Sequence, residues 1–112
     1  MTLRELIDVL GEADPNKVVP IGWGNPHSYR GYYDDLAFEP MRNVRVADML
    51  HDAEASLNAT FAGYKGGEFV MNEYVDVYLA NYGECGDQIS RLLLHYMGLC
   101  DFPVEDGEEG KP

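Results

Sequence analysis

Two short polar stretches hold most of the side chains in this sequence that can do chemistry. His27-Ser28-Tyr29-Arg30-Gly31-Tyr32-Tyr33-Asp34-Asp35 gathers a histidine, an arginine and three of the eight tyrosines, and Gly63-Tyr64-Lys65-Gly66-Gly67-Glu68 repeats the theme around one lysine. Arg30 can offer a two-pronged donor to a phosphate or carboxylate, while Trp23, Tyr29, Tyr32 and Tyr33 can stack on a base or a peptide side chain. The glycines beside Tyr64 and Lys65 can let backbone amides approach a phosphate. Their spacing is not that of a P-loop, and they follow a predicted helix rather than a strand, so a helix-ending turn accounts for them as well. Arg30 has a second use, pairing internally with Asp34, Asp35 or Glu68, because a loop this polar needs anchors if it is to stay ordered. The residues expected to contact a ligand or partner are Trp23, His27, Tyr29, Arg30, Tyr32, Tyr33, Tyr64, Lys65 and Glu68.

Catalytic constellations are weaker. His27 next to Ser28 suggests a base and a nucleophile, but chain neighbours seldom face each other in the required way. Asp34, Asp35, Glu68 and Asp76 can form an acid–base pair or a magnesium site, although 20 acidic residues produce such neighbours by chance. His95, Cys85 and Cys100 lack the spacing of a zinc site. No cofactor, metal or catalytic residue is assigned.

The 112 residues fit one domain with one core, and 46% apolar with 12% aromatic residues is the composition of a folded globule. Twenty acidic against eight basic residues give a net charge of -12, which disfavours direct contact with nucleic acid or anionic membranes and favours solubility or a basic partner. No apolar run reaches the ~20 residues needed to cross a bilayer and no export signal opens the chain, so a cytosolic protein with reduced thiols at Cys85 and Cys100 is expected.

Helix and strand periods place these stretches. Thr2 and Glu5 form a capping box ahead of Leu3, Leu6, Ile7 and Leu10, a helix ending at Gly11. Asp14-Pro15-Asn16-Lys17 is a turn leading to a strand over Val18 to Trp23, and Pro20 puts that strand at a sheet edge or breaks it. Residues 24–35 read as a loop or irregular strand. Leu36 to Glu39 is extended up to Pro40, and a helix spans about Val46 to Asn58. Glu68–Met71 and Val75–Leu79 read as a hairpin about Asn72-Glu73. Asp87 caps a third helix with Ile89, Leu92, Leu93 and Tyr96 on one face, stopped by Gly98. The expected architecture is an α+β domain over residues 1–103, three helices with a small, mainly antiparallel sheet, followed by an acidic disordered tail over 104–112.

Ser28-Tyr29-Arg30-Gly31-Tyr32-Tyr33 with Leu36-Ala37-Phe38, and then Thr60-Phe61-Ala62-Gly63-Tyr64-Lys65-Gly66-Gly67-Glu68-Phe69-Val70-Met71, resemble a family of small proteins encoded by bacteriophages and prophages. The resemblance spans Thr2 to Tyr82 and implies an accessory protein in the host cytosol; it carries over no catalytic residues. Arg45 departs from the pattern, since a Ser or Thr cap is expected where the second helix begins. The leading expectation is a non-enzymatic module that binds a host protein or a small anionic ligand, in counter-defence or host takeover. Two alternatives stand beside it: an acidic mimic of DNA that blocks a nucleic-acid-binding protein, and a small hydrolase or transferase acting on a phosphorylated metabolite through His27 or a carboxylate pair.

Overall fold

In the computed structural model, residues 1–31, 35–62, 67–81 and 83–100 are described. Tyr32, Tyr33, Tyr64, Lys65 and the acidic tail lie outside them. The fold is α+β; the described residues form three α-helices, a four-stranded mainly antiparallel sheet and a separate two-stranded sheet.

Helix α1 (Leu3–Glu12) begins at the expected capping box, where the Thr2 hydroxyl accepts the Glu5 amide at 3.2 Å and the Glu5 carboxylate accepts the Thr2 amide at 2.8 Å. Its buried face is Leu3, Leu6, Ile7, Val9 and Leu10. The helix runs through Gly11, because a helical glycine costs only ~1 kcal/mol. It stops at Ala13, just before the Asp14-Pro15 turn.

Strand β1 (Val18–Ser28) and strand β2 (Leu36–Arg45) form a long antiparallel ribbon, in register from Val18↔Arg45 to Gly24↔Glu39. The sheet order is β1-β2-β5-β6, so β1 is the edge strand that Pro20 requires. Of the two readings of residues 24–35, irregular strand holds as far as Ser28, with a bulge between Gly24 and His27 where Asn25 takes φ 50°, and a 3-10 turn follows at Tyr29–Gly31. Strand β2 also continues past Pro40, which is tolerated because its other neighbour pairs only with Leu36, Ala37 and Phe38.

Helix α2 (Val46–Ser56) buries Val46, Met49, Ala53 and Ser56. The absence of a Ser or Thr at Arg45 has a structural answer. The Val46 amide donates to the Lys17 carbonyl at 2.9 Å and the Ala47 amide to the Pro15 carbonyl at 3.0 Å, so the Asp14–Lys17 turn takes the place of a side-chain cap. The helix ends two residues before the expected Asn58, which adopts φ 63°.

The expected hairpin about Asn72-Glu73 is replaced by a different pairing. Strand β3 (Thr60–Ala62) pairs with β4 (Glu68–Val70), whereas β5 (Val77–Leu79) enters the main sheet parallel to β2 and antiparallel to β6 (Asp87–Gln88). The N-terminus accounts for this: the amides of Leu3 and Arg4 donate to the carbonyls of Val75 and Glu73, and the Val77 amide donates to Met1. With those groups engaged, the chain after Asn72 cannot ladder back onto β4.

Helix α3 (Arg91–Tyr96) is capped by Ser90, whose hydroxyl accepts the Leu93 amide at 3.2 Å, and Asp87 lies in β6 instead. The later start rotates the expected face. Leu94 and Leu99 are buried with Ile89, while Leu92 and Tyr96 are exposed. Gly98, at φ 79°, ends the helix as expected. Trp23, Phe38, Leu36, Met49 and Met71 join the α1 leucines, Ile89 and Leu94 in one core. No helix among the described residues is long and apolar enough to cross a membrane, and Cys85 and Cys100 form no disulfide.

Candidate functional site

The bulge in β1 and the turn after it create a corner where the first polar stretch meets the sheet. Asn25 projects its amide to Glu39 on β2, Nδ2 to Oε2 at 2.9 Å. His27, 8% exposed, sets Nδ1 3.2 Å from the Asn25 carbonyl and 3.7 Å from the Glu39 carboxylate, so its ring is held by its own bulge and by the neighbouring strand. Ser28 is buried at the next ladder position, opposite Leu36, and consecutive ladder residues point to opposite faces of a sheet. That geometry separates the Ser28 hydroxyl from the His27 imidazole and gives no base–nucleophile pair.

Tyr29 is built into the same corner. Its ring stacks on Tyr78 of β5 at 3.9 Å and 8° between planes, its hydroxyl accepts the Gly86 amide at 3.3 Å, and its amide donates to the Asp35 carbonyl at 2.8 Å. Asp35 in turn accepts the Asp76 amide through Oδ1 at 3.2 Å, and the Leu36 amide donates to the Asp76 carbonyl. Burial raises the Tyr78 hydroxyl above its ordinary range, and the carboxylates of Asp35 and Asp76 and the Tyr29 ring push it the same way. Arg30 takes a left-handed backbone, φ 57° and ψ 8°, a conformation costing roughly 1–2 kcal/mol in a non-glycine residue. Its side chain is half-buried, with Nε out of solvent. Tyr29, the residue before it, is fixed by its ring stack and its two hydrogen bonds.

The expected contact residues therefore divide. Trp23 is fully buried, packing 6.0 Å from the Phe38 ring, which corrects its expected role as a stacking platform. His27, Tyr29 and Arg30 come together at the corner, with Tyr29 engaged internally on both its ring and its hydroxyl. Glu68 sits exposed on β4, and no ion pair among the described residues joins it to Arg30. No three His, Cys, Asp or Glu side chains among the described residues are grouped to hold a metal ion. A shallow concavity of about 140 Å³ lies elsewhere, walled by Arg4 and Glu73, whose charges are spent on each other at 3.1 Å.

A different surface was missed in the sequence. Where the ribbon begins, Val18 is 50% exposed, Ile21 64% and Met41 46%, and the ladder sets Val18 opposite Arg45 and Ile21 opposite Arg42. Lys17, also exposed, opens the strand. Three of the eight basic residues thus stand around exposed apolar side chains in a molecule of net charge -12. Arg45 approaches Asp48 at 4.0 Å across solvent, and Arg42 makes no ion pair among the described residues. Pro20 marked this strand as an edge, but the pairing that brings residues 41–45 beside 18–22 depends on the ribbon's register and cannot be read from local spacing.

Comparison of the chain with family models, curated proteins and solved structures finds no match.

Proposed function

We propose that the protein is a non-catalytic binding module, a bacteriophage accessory protein that engages a host protein in the host cytosol through the open end of the β1–β2 ribbon. The observation that carries this reading is the set of exposed apolar and basic side chains at the open end of the ribbon, Val18 across from Arg45 and Ile21 across from Arg42, with Met41 next to Arg42 in sequence. Exposed apolar side chains rimmed by charge are the composition of a protein-binding patch. Arg42 and Arg45 supply local positive charge on an acidic body, which at contact range suits an acidic patch on the partner. The phage setting rests on the resemblance of residues 28–38 and 60–71. The corner at His27, Tyr29 and Arg30 serves this module as architecture, locking the far end of the ribbon onto β5.

Affinity capture from infected cells, read by mass spectrometry, tests the proposal. The expected result is a host protein that is retained at low salt and released as rising ionic strength shortens the roughly 8 Å screening length. Capture no richer than bare resin, together with unchanged phage growth after deletion on defended hosts, overturns it.

A further inference from the structure

We infer that the acidic run of residues 101–112 folds back onto Lys17, Val18 and Arg45 and occupies that end of the ribbon until a partner displaces it. This rests on the binding-module reading and adds an internal competitor to it.

The root of the run decides what it can reach. Gly98 closes α3 beside the turn that feeds β1, where a Cβ on it would stand 3.3 Å from both Cε and Nζ of Lys17. Leu99, 5% exposed, then fastens the chain into the core, so the run departs within a few residues of that lysine. Val18 follows Lys17, and the ladder sets Arg45 opposite Val18, where directly opposed residues share a face. Lys17, Val18 and Arg45 are all exposed. Arg45 lies one chain step and one ladder step from Lys17, about 9 Å in all, and the five residues from Cys100 to Glu105 reach about 17 Å.

Composition matches the surface in both of its characters. Phe102-Pro103-Val104 supplies apolar side chains for Val18, and Glu105, Asp106, Glu108 and Glu109 supply carboxylates for Lys17 and Arg45. Arg45 meets Asp48 only at 4.0 Å, with both side chains more than half exposed, a pairing weak enough for several carboxylates to replace. The body is acidic overall, but its distant charges are screened beyond about 8 Å. Attachment meanwhile gives the run an effective concentration on the order of millimolar beside the two cations. Arg91 is the other cation near the root, since its carbonyl accepts the Cys100 thiol at 3.6 Å. It already has the Glu5 carboxylate in its field, and two cations around Val18 match the run better than one.

The test compares the full chain with a full-length variant carrying Glu105→Gln, Asp106→Asn, Glu108→Gln and Glu109→Gln, which touches no residue of the core. Amide NMR spectra of the two should differ at Lys17, Val18 and Arg45 in low salt and converge there near 1 M salt, where the screening length falls to about 3 Å. A synthetic peptide of residues 101–112 is then titrated into each. The neutralised chain should bind it about tenfold more tightly than wild type, the factor for a site nine-tenths occupied, and adding Lys17→Glu with Arg45→Glu should remove that binding. Four results would each overturn the inference: spectra that coincide at Val18 and Arg45 in low salt, differences centred on Arg91 and Leu92, differences that grow with protein concentration as for docking on a second copy, or equal peptide affinity for the two chains. Host capture separates this from the binding-module reading. The neutralised chain should retain several-fold more host protein than wild type. Equal capture by these two chains, with Ile21→Glu still losing the host protein, removes the internal competitor alone; capture by Ile21→Glu as strong as wild type removes the binding-module reading, and with it the competitor's role.

Discussion

Tyr29 shows how far a residue's type can mislead about its use. In sequence it stands among glycines and polar groups and reads as a contact for something outside the chain, but the fold brings Tyr78 beneath its ring and Gly86 to its hydroxyl. Tyr78 and Gly86 are about 50 residues away along the chain, and no local pattern announces them. Tyr29→Phe keeps the stack and removes the hydrogen bond, so urea denaturation should show a loss of about 1 kcal/mol. Tyr29→Ala should cost roughly 2–4 kcal/mol, since it also removes buried ring area. Tyr78 adds a pH signature. Its folded pKa is raised, so its contribution to stability is complete below the ordinary tyrosine value of 10.0 and is lost as pH rises through the folded value. The alkaline limb of the stability profile should therefore be shallower in Tyr78→Phe. Trp23 is the sole tryptophan and is 0% exposed, so its fluorescence should be blue-shifted and resist iodide quenching until the protein unfolds.

At the scale of elements, local rules succeeded where the local chain satisfies its own backbone and failed where a distant segment does so. The α1 capping box was legible because Thr2 and Glu5 are three residues apart and complete each other. Its test is Thr2→Ala, which should cost about 1 kcal/mol. The hydrogen bonds to Thr2, first the backbone one, hold the Glu5 carboxyl below its usual 4.5, against an opposing effect of burial. That contribution is present above the unfolded value and lost as pH falls through the folded one, so Glu5→Gln, which cannot ionise, should lose less stability than wild type on acidification. Helix α2 was placed correctly despite Arg45, because the Pro15 and Lys17 carbonyls stand in for the missing cap. The hairpin at Asn72-Glu73 failed because Met1–Arg4 occupy the groups it needs, and α3 began three residues late because Ser90, not Asp87, sits where a cap is required. β6 has a narrow tolerance of its own. A Cβ on Gly86 would run into the Leu79 carbonyl and Ala80, so Gly86→Ala should destabilise by roughly 1–3 kcal/mol and loosen β6 from β5 in hydrogen exchange.

Across the whole molecule, acidity, the α+β class and the edge position of Val18–Trp23 were legible in composition and in the placement of Pro20. The set of side chains that carries the proposed function was not, because it exists only once residues 41–45 lie beside 18–22. The resulting division of labour is simple: the aromatic and arginine corner fastens one end of the ribbon, and the other end stays open with its isoleucine and arginines in solvent. Capture from infected-cell lysate, run in parallel with wild type, Ile21→Glu and Arg30→Ala at matched folded concentration, weighs one end of the ribbon against the other. The account predicts that Ile21→Glu loses the host protein while folded Arg30→Ala retains it; loss with Arg30→Ala and retention with Ile21→Glu would contradict it.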